Sequence, residues 1–197
     1  MIRLKIWIVR HGETDLNAQK LMQGRADIPL NEKGKEQARK ASEKIRNIQF
    51  DKIFSSPLCR ALETAMILTR SDEISVDERL IELDFGKYDL KKYNRIGMKM
   101  ALYYFFQQYL PAPKTVEDYE SIRNRCVSFL SDLEGKGYEN VLIVSHGAFV
   151  RTICQELEEK KPKTSIKYFP QNCEIRVYEM SDDGERHHFI KKINAED

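Results

Sequence analysis

Two of the four histidines in this 197-residue chain occupy the same short setting. Ile8-Val9-Arg10-His11-Gly12 and Ile143-Val144-Ser145-His146-Gly147 each run from apolar residues through one polar residue to His and Gly. An imidazole is largely uncharged and nucleophilic near neutral pH, because its unperturbed pKa is about 6.5. Arginines stand in matching places: Arg10 directly precedes His11, and Arg60 follows Phe54-Ser55-Ser56-Pro57 at the start of a helical stretch. Guanidinium forks fit the oxygens of a tetrahedral dianion. Glu82, in Arg79-Leu80-Ile81-Glu82-Leu83-Asp84-Phe85-Gly86, is a candidate proton donor. A lone histidine at a strand end is usually a satisfied structural residue. The repeated setting, with arginines beside it, instead points to one shared anion site.

These residues need elements that carry them to one place. Residues 4–9 and 141–144 end in or form continuous apolar runs, which suit strands covered on both faces of a parallel sheet. Lys52-Ile53-Phe54 and Ile74-Ser75-Val76 read as shorter strands. Between them, Asn31 is placed to cap a helix carrying Ala38, Ala41, Ile45 and Ile48 at helical spacing. Residues 60–69, 116–133 and 147–157 give further helical stripes. Glu174–Met180 and His187–Ile193 alternate around Ser181-Asp182-Asp183-Gly184 and read as an antiparallel hairpin. Strands alternating with helices predict an α/β three-layer sandwich in a single domain over 1–197: a mostly parallel central sheet flanked by helices, with the hairpin at its C-terminal end. Residues 88–113, rich in Tyr and Phe, read as a small helical insertion at the pocket mouth, its 103–109 aromatics forming a packed face. In such sheets ligands bind beyond the carboxyl ends of the strands, where the strand order reverses. Each glycine after a histidine is expected to bring its backbone N–H close to the ligand. A helix opening at Gly147 would favour an anion at its N-terminus.

Composition narrows the partners. The formal net charge of +2, from 33 basic and 31 acidic residues, offers no field for nucleic acid or a membrane surface. The run Ile6–Val9 is too short for a leader core or a membrane span, so a cytoplasmic location is expected. Cys59, Cys126, Cys154 and Cys173 form no Cys-x-x-Cys pair and read as reduced, mostly buried thiols. His187-His188 read as ordinary strand positions and Lys160-Lys161-Pro162-Lys163 as a solvated loop. No metal and no cofactor are expected, and nothing sets an oligomeric state.

Five ordered segments carry a resemblance. They are Arg10-His11-Gly12-Glu13-Thr14 with Asn17; Gln23-Gly24-Arg25 with Asp27, Pro29 and Leu30; Ser55-Ser56-Pro57-Leu58 with Arg60-Ala61 and Thr64-Ala65; Leu80, Glu82, Phe85 and Gly86; and Val144-Ser145-His146-Gly147. Together they resemble the histidine phosphatase superfamily, also called phosphoglycerate-mutase-like. The resemblance implies that His11 is the nucleophile and that Arg10, Arg60 and His146 bind the transferring phosphoryl group, with Asn17 and the Gly147 amide assisting. It implies Glu82 as general acid and then base, and Gln23 and Gly24 as pocket residues near the phosphate. Where many members continue Phe-Gly-x-Trp-Glu-Gly, this chain has Phe85-Gly86-Lys87-Tyr88-Asp89-Leu90.

The implied reaction is metal-independent hydrolysis of a small phosphate ester through phosphohistidine. It requires the second nitrogen of His11 to donate to a carbonyl or carboxylate. It also requires a protonated His146 facing the equatorial oxygens, and a proton on Glu82 when attack begins. Two other functions compete. A phosphoglycerate mutase would use the same phosphohistidine, but Gln23-Gly24-Arg25-Ala26-Asp27 is the phosphatase-like version of that segment. A non-catalytic phospho-ligand binder would lack the nucleophile or the acid, and both are present.

Overall fold

Runs of Ile, Val and Leu build the interior strands; alanine-rich stripes build the helices on one face, and larger apolar residues those on the other. The computed structural model of the chain describes residues 3–158, 169–180 and 187–195. In chain order the elements are β1 (Leu4–Arg10), α1 (Asp15–Ala18), α2 (Glu32–Ile45), β2 (Lys52–Ser55), α3 (Cys59–Thr69), β3 (Ser75–Val76), α4 (Gly97–Phe106), α5 (Tyr119–Ser131), β4 (Asn140–Ser145), α6 (Gly147–Leu157), β5 (Ile175–Met180) and β6 (His188–Ile193). The six-stranded sheet has the order β3-β2-β4-β1-β5-β6. The first four strands in that order run parallel, and β5 and β6 add antiparallel. The predicted α/β sandwich and its antiparallel hairpin are therefore found. The hairpin tip at 181–184 and the basic run at 160–163 lie outside the described residues.

Both sheet faces are sealed. Trp7, Val9, Leu142 and Val144 meet Ala38, Ala41 and Ile45 of α2 and Ala61, Ala65 and Leu68 of α3 on one side. Ile6, Ile8, Val141 and Ile143 meet α4, α5 and α6 on the other, through Met100, Phe129, Phe149 and Ile153 among others. Each such large side chain contributes about 1.5–3 kcal/mol on burial. Asn31 caps α2 by accepting the Gly34 N–H at 2.8 Å, as its position predicted.

Strand order fixes where chemistry can occur. The chain leaves β1, builds β2 and β3 outward, then returns to insert β4 between β2 and β1. Arg10 is paired with Ser145 across β1 and β4, and Ser55 with Val144 across β2 and β4. The residues following these strands, His11, Ser56 and His146, therefore emerge side by side. Residues 88–113 hold α4 and a short 3-10 turn at Tyr93–Arg95, over the face carrying α5 and α6. The aromatics at 103–109 divide instead of forming one packed face: Tyr103 is buried, Tyr104 half-buried, and Phe105 and Tyr109 exposed. The helical period explains the split, because neighbours 100° apart cannot share one face.

Candidate active site

The two imidazoles meet, with ring centroids 5.1 Å apart. His11 Nδ1 lies 2.7 Å from the Gly12 carbonyl oxygen, which can only accept, so Nδ1 carries the proton. The lone pair is then on Nε2, and Arg60 donates its Nε–H to that atom at 3.3 Å. His146 is held the other way round. Its Nε2 lies 2.7 Å from Ser56 Oγ. That hydroxyl also accepts the Leu58 N–H at 3.4 Å and still has its own proton to give, which we assign to Nε2. The proton of neutral His146 then sits on Nδ1, which is buried with no hydrogen-bond partner among the described residues.

Arg60 is no surface helix residue: it is 0% exposed, against 3% for His11, 0% for His146 and 5% for Glu82. Its two terminal nitrogens donate to the carbonyls of Ala26 at 2.8 Å and Gly24 at 2.7 Å. Burial lowers its pKa to about 10, which leaves it charged at neutral pH. The loop that grips it is itself gripped. Asp89 accepts the Gly24 N–H at 2.7 Å and the Ala26 N–H at 3.2 Å. The departure at Tyr88-Asp89-Leu90 thus still supplies a carboxylate that braces the arginine through its loop. Arg10 donates to the Pro170 carbonyl at 2.8 Å and keeps a buried Nε without a partner among the described residues.

Burial, reinforced by Arg60 and then by neighbouring charges that include Arg10, pushes both imidazoles well below the usual histidine range. A neutral His11 suits the nucleophile. The expected protonated His146 is not what this constellation favours: desolvation and the two guanidinium charges disfavour a third cation. A phosphoryl dianion among these groups would act in the opposite sense.

Glu82 takes a place that the sequence reading gave to the ligand. Its carboxylate, not a phosphate, meets the N-terminus of α6, accepting from Ala148 at 3.2 Å and 3.1 Å and from Phe149 at 3.3 Å. The first N–H groups of a helix have no partner within it, which explains the pose. Leu83 N–H adds a bond of 2.8 Å to Oε1. Among the described residues Oε2 accepts from the Ala148 amide alone, and it lies on the side of Gly147, 3.7 Å from where a Cβ there would stand. Arg10 Nε is 3.8 Å from the same point, so Gly147 leaves open the space between acid and guanidinium.

Gly12 does something different from the expectation. Its N–H donates to Thr64 Oγ1 at 3.0 Å rather than into the site. A Cβ on Gly12 would stand 2.5 Å from the Gly34 oxygen, so the glycine serves close passage of α2. Asn17 and Gln23 join a polar chain beside His11. Gln23 Oε1 accepts from Thr14 Oγ1 at 2.7 Å and from Asn17 Nδ2 at 3.3 Å, and Gln23 Nε2 is left without a partner among the described residues. Asn172 Nδ2 donates to the His11 carbonyl at 2.9 Å.

Sequence reasoning gave no role to Ser56, Asp89 or Asn172. Ser56 had a signal, its place at a strand end. Asn172 had none, since it arrives from beyond the last parallel strand. With donors on three strand ends around one lone pair, the site can bind a tetrahedral anion and let His11 Nε2 attack it. Among the described residues no group of three or more His, Cys, Asp or Glu is placed to hold a metal ion.

Known proteins resemble this chain over most of its length. The family described as "Histidine phosphatase superfamily (branch 1)" matches residues 6–192. The uncharacterized phosphatase PhoE of Bacillus subtilis is 32% identical over 171 residues, covering 85% of this chain and 84% of its own. A phosphoserine phosphatase from Entamoeba histolytica, solved as a mutant in complex with phosphoserine, is 26% identical, with a TM-score of 0.84 over 98% of each chain. The GpmB protein of Salmonella choleraesuis, which carries a probable phosphoglycerate mutase name, is 42% identical over only 85 residues, 42% of this chain and 40% of its own.

Proposed function

The chain belongs to the histidine phosphatase superfamily, branch 1, and on that premise we propose that it hydrolyses small phosphate monoesters through a phosphohistidine on His11. Relatives with phosphatase names match 85% and 98% of the chain, and residues 23–27 keep the phosphatase-like pattern; together these favour hydrolysis over the mutase reading. The observation that supports the mechanism most is the unprotonated His11 Nε2, held in that tautomer by the Gly12 carbonyl and accepting the Arg60 Nε–H.

His11 Nε2 attacks phosphorus and the ester P–O bond breaks. Glu82 gives its proton, from Oε2, to the departing oxygen. Arg10, Arg60 and His146 Nδ1–H face the equatorial oxygens, with Asn17, Gln23, the Gly24 segment and the Gly147 amide completing the pocket. Water then attacks the phosphohistidine, Glu82 takes a proton from it, the P–N bond breaks and inorganic phosphate leaves. The net reaction is ester plus water to alcohol plus phosphate, split into two displacements. Guanidinium and imidazole groups supply the charge stabilisation, so we assign the reaction no metal or cofactor.

All four cysteines are free thiols, three of them buried, which supports a reducing compartment such as the cytoplasm. No described helix is long and apolar enough to cross a membrane. The direct test is phosphate release from β-glycerophosphate with excess chelator present. Activity should survive the chelator and stop with orthovanadate; activity restored only by a divalent metal would overturn the mechanism.

A further inference from the structure

Apart from Asp89, residues 87–114 take no part in the hydrolytic steps, yet they present an unusual surface. α4 is apolar on two opposite faces. Met100 and Tyr103 are buried against the core. At 100° per residue, Met98, Leu102 and Phe105 fall on the other side, and all three are exposed, Met98 at 75%. Exposed Tyr109 and Leu110 prolong that stripe beyond α4, and exposed Leu90 and Tyr93 precede it. A surface helix ordinarily turns charged residues outward. α2 does so, pairing Lys35 with Glu32, Arg39 with Glu36 and Arg46 with Glu43. A contiguous exposed apolar face of this kind marks a site of interaction.

The rim of this face is basic. Residues 87–114 hold Lys87, Lys91, Lys92, Arg95, Lys99 and Lys114 against the single acid Asp89, a net +5. The whole chain has +2, so the other residues together carry −3. The near balance of the full chain thus conceals a local field. All six cations are exposed, and none of them makes an ion pair among the described residues. Asp89 does not offset them at the surface, because it is turned to the Gly24 and Ala26 amides. The Lys87 N–H donates to Thr115 Oγ1 at 3.3 Å, which sets Lys114 near Lys87.

We propose that this face docks on an anionic lipid surface, with α4 lying in the plane of the headgroups. Such a surface takes up apolar side chains at the acyl boundary, tyrosines at headgroup depth and lysines whose stems bridge the two. Each cation held near an anionic leaflet adds attraction. A second copy of this chain fits less well, because two-fold pairing of the same face would set net +5 against net +5. Nucleic acid would use the cations and could stack on Tyr93 and Phe105, but it would leave Leu90, Met98, Leu102 and Leu110 in water. The docking goes beyond the phosphatase reading and does not depend on it. It does bear on access: Tyr93 and Phe105 also line a cavity of about 500 Å³ that reaches Arg10 and Phe169. A lipid surface held by α4 therefore lies at the mouth of the reaction site.

Vesicle flotation of the full chain tests this. Phosphatidylcholine vesicles with about 30% phosphatidylglycerol should retain the protein at about 0.1 M salt, and pure phosphatidylcholine should retain about tenfold less. M98S/L102S and R95Q/K99Q should each weaken the partition about tenfold. All four side chains are exposed, so circular dichroism and Tm should match the parent. M98W should shift its emission to the blue on the anionic vesicles, read against one buried tryptophan, Trp7. No retention on anionic vesicles, retention that M98S/L102S leaves unchanged, or an unshifted M98W spectrum would overturn the proposal. So would a concentration-dependent dimer that M98S/L102S dissolves, which assigns the face to a second copy. Binding to poly(U) tighter than to the vesicles, and weakened by R95Q/K99Q, would overturn it in favour of nucleic acid. Retention is read without any ester, so a chain that floats with vesicles but releases no phosphate would keep the docking and overturn the phosphatase reading.

Discussion

The two strand-His-Gly turns differ in almost everything except their residues. Both end adjacent parallel strands, and the His11 N–H even donates to the Ser145 carbonyl at 2.9 Å. Yet His11 is pinned at Nδ1 by its own neighbour's carbonyl and presents Nε2, whereas His146 is pinned at Nε2 by Ser56 and presents Nδ1. Gly12 seals the first turn against α2, while Gly147 opens the second directly into α6. One ring thereby offers a lone pair and the other a proton. The asymmetry comes from the third strand end, where Ser56 and Arg60 follow β2 and reach one ring each.

The most severe break of that comparison is to remove each ring in turn. His11→Ala should lower kcat by a factor of about 10⁴ or more, and no alkali-stable, acid-labile phosphoprotein should form on mixing with substrate. His146→Ala removes one donor to the phosphoryl oxygens and should cost about 10²–10³, with the phosphoprotein still detectable by radiolabel after quenching. If His146→Ala abolishes the phosphoprotein and His11→Ala retains it, the two assignments are reversed.

Acidity sharpens the same contrast at lower cost to the enzyme. Both rings lie well below the usual histidine range in the fold, through burial first and Arg60 second. In the unfolded chain each returns to about 6.5. The folded pKa is depressed, so the unfolded state binds more protons between the two values. Stability is therefore full above about pH 6.5 and is lost as pH falls through the folded pKa. Thermal melts from pH 7.5 down to 5 should show Tm falling below pH 6.5, and H11Q or H146Q should flatten that slope. For the free enzyme, the acid limb of kcat/KM assigned to His11 should lie well below pH 6.5; a limb at 6.5 would mean a solvated nucleophile.

How far the sequence foretold this depends on how local each feature is. The strand-His-Gly settings were legible because strand, polar residue and glycine are neighbours in the chain, and a parallel sheet brings such ends together. Arg60 was legible as a residue at a strand end, but its complete burial follows from the Gly24 and Ala26 carbonyls, which reach it across more than thirty positions. Asp89 looked like a departure from the family pattern. Its function of bracing residues 24–26 appears only when two loops lie side by side. The reason for Gly12 was misjudged because contact with Gly34 is set by the approach of a helix. The pose of Glu82 was missed because its partners are backbone amides of α6. In the insertion, helical character was readable, but which aromatics would line a cavity depends on Phe169 arriving from a different part of the chain.

The gentlest perturbation tests the cause of the asymmetry itself. Ser56→Ala keeps both imidazoles, both arginines and Glu82, and removes only the hydroxyl that sets the tautomer of His146. Neutral His146 could then carry its proton on either nitrogen, and the form bearing Nδ1–H would be one of two. The buried Nε2 would also lose its partner, costing about 1–3 kcal/mol of stability. A fall of about five- to tenfold in kcat/KM is expected, together with weaker inhibition by orthovanadate, because both depend on the same donor. Ser56→Thr, which keeps the hydroxyl, should recover most of both. An unchanged vanadate inhibition constant in Ser56→Ala would show that His146 keeps its orientation without the serine. The difference between the two turns would then have to originate in β4 and α6 rather than in the turn after β2.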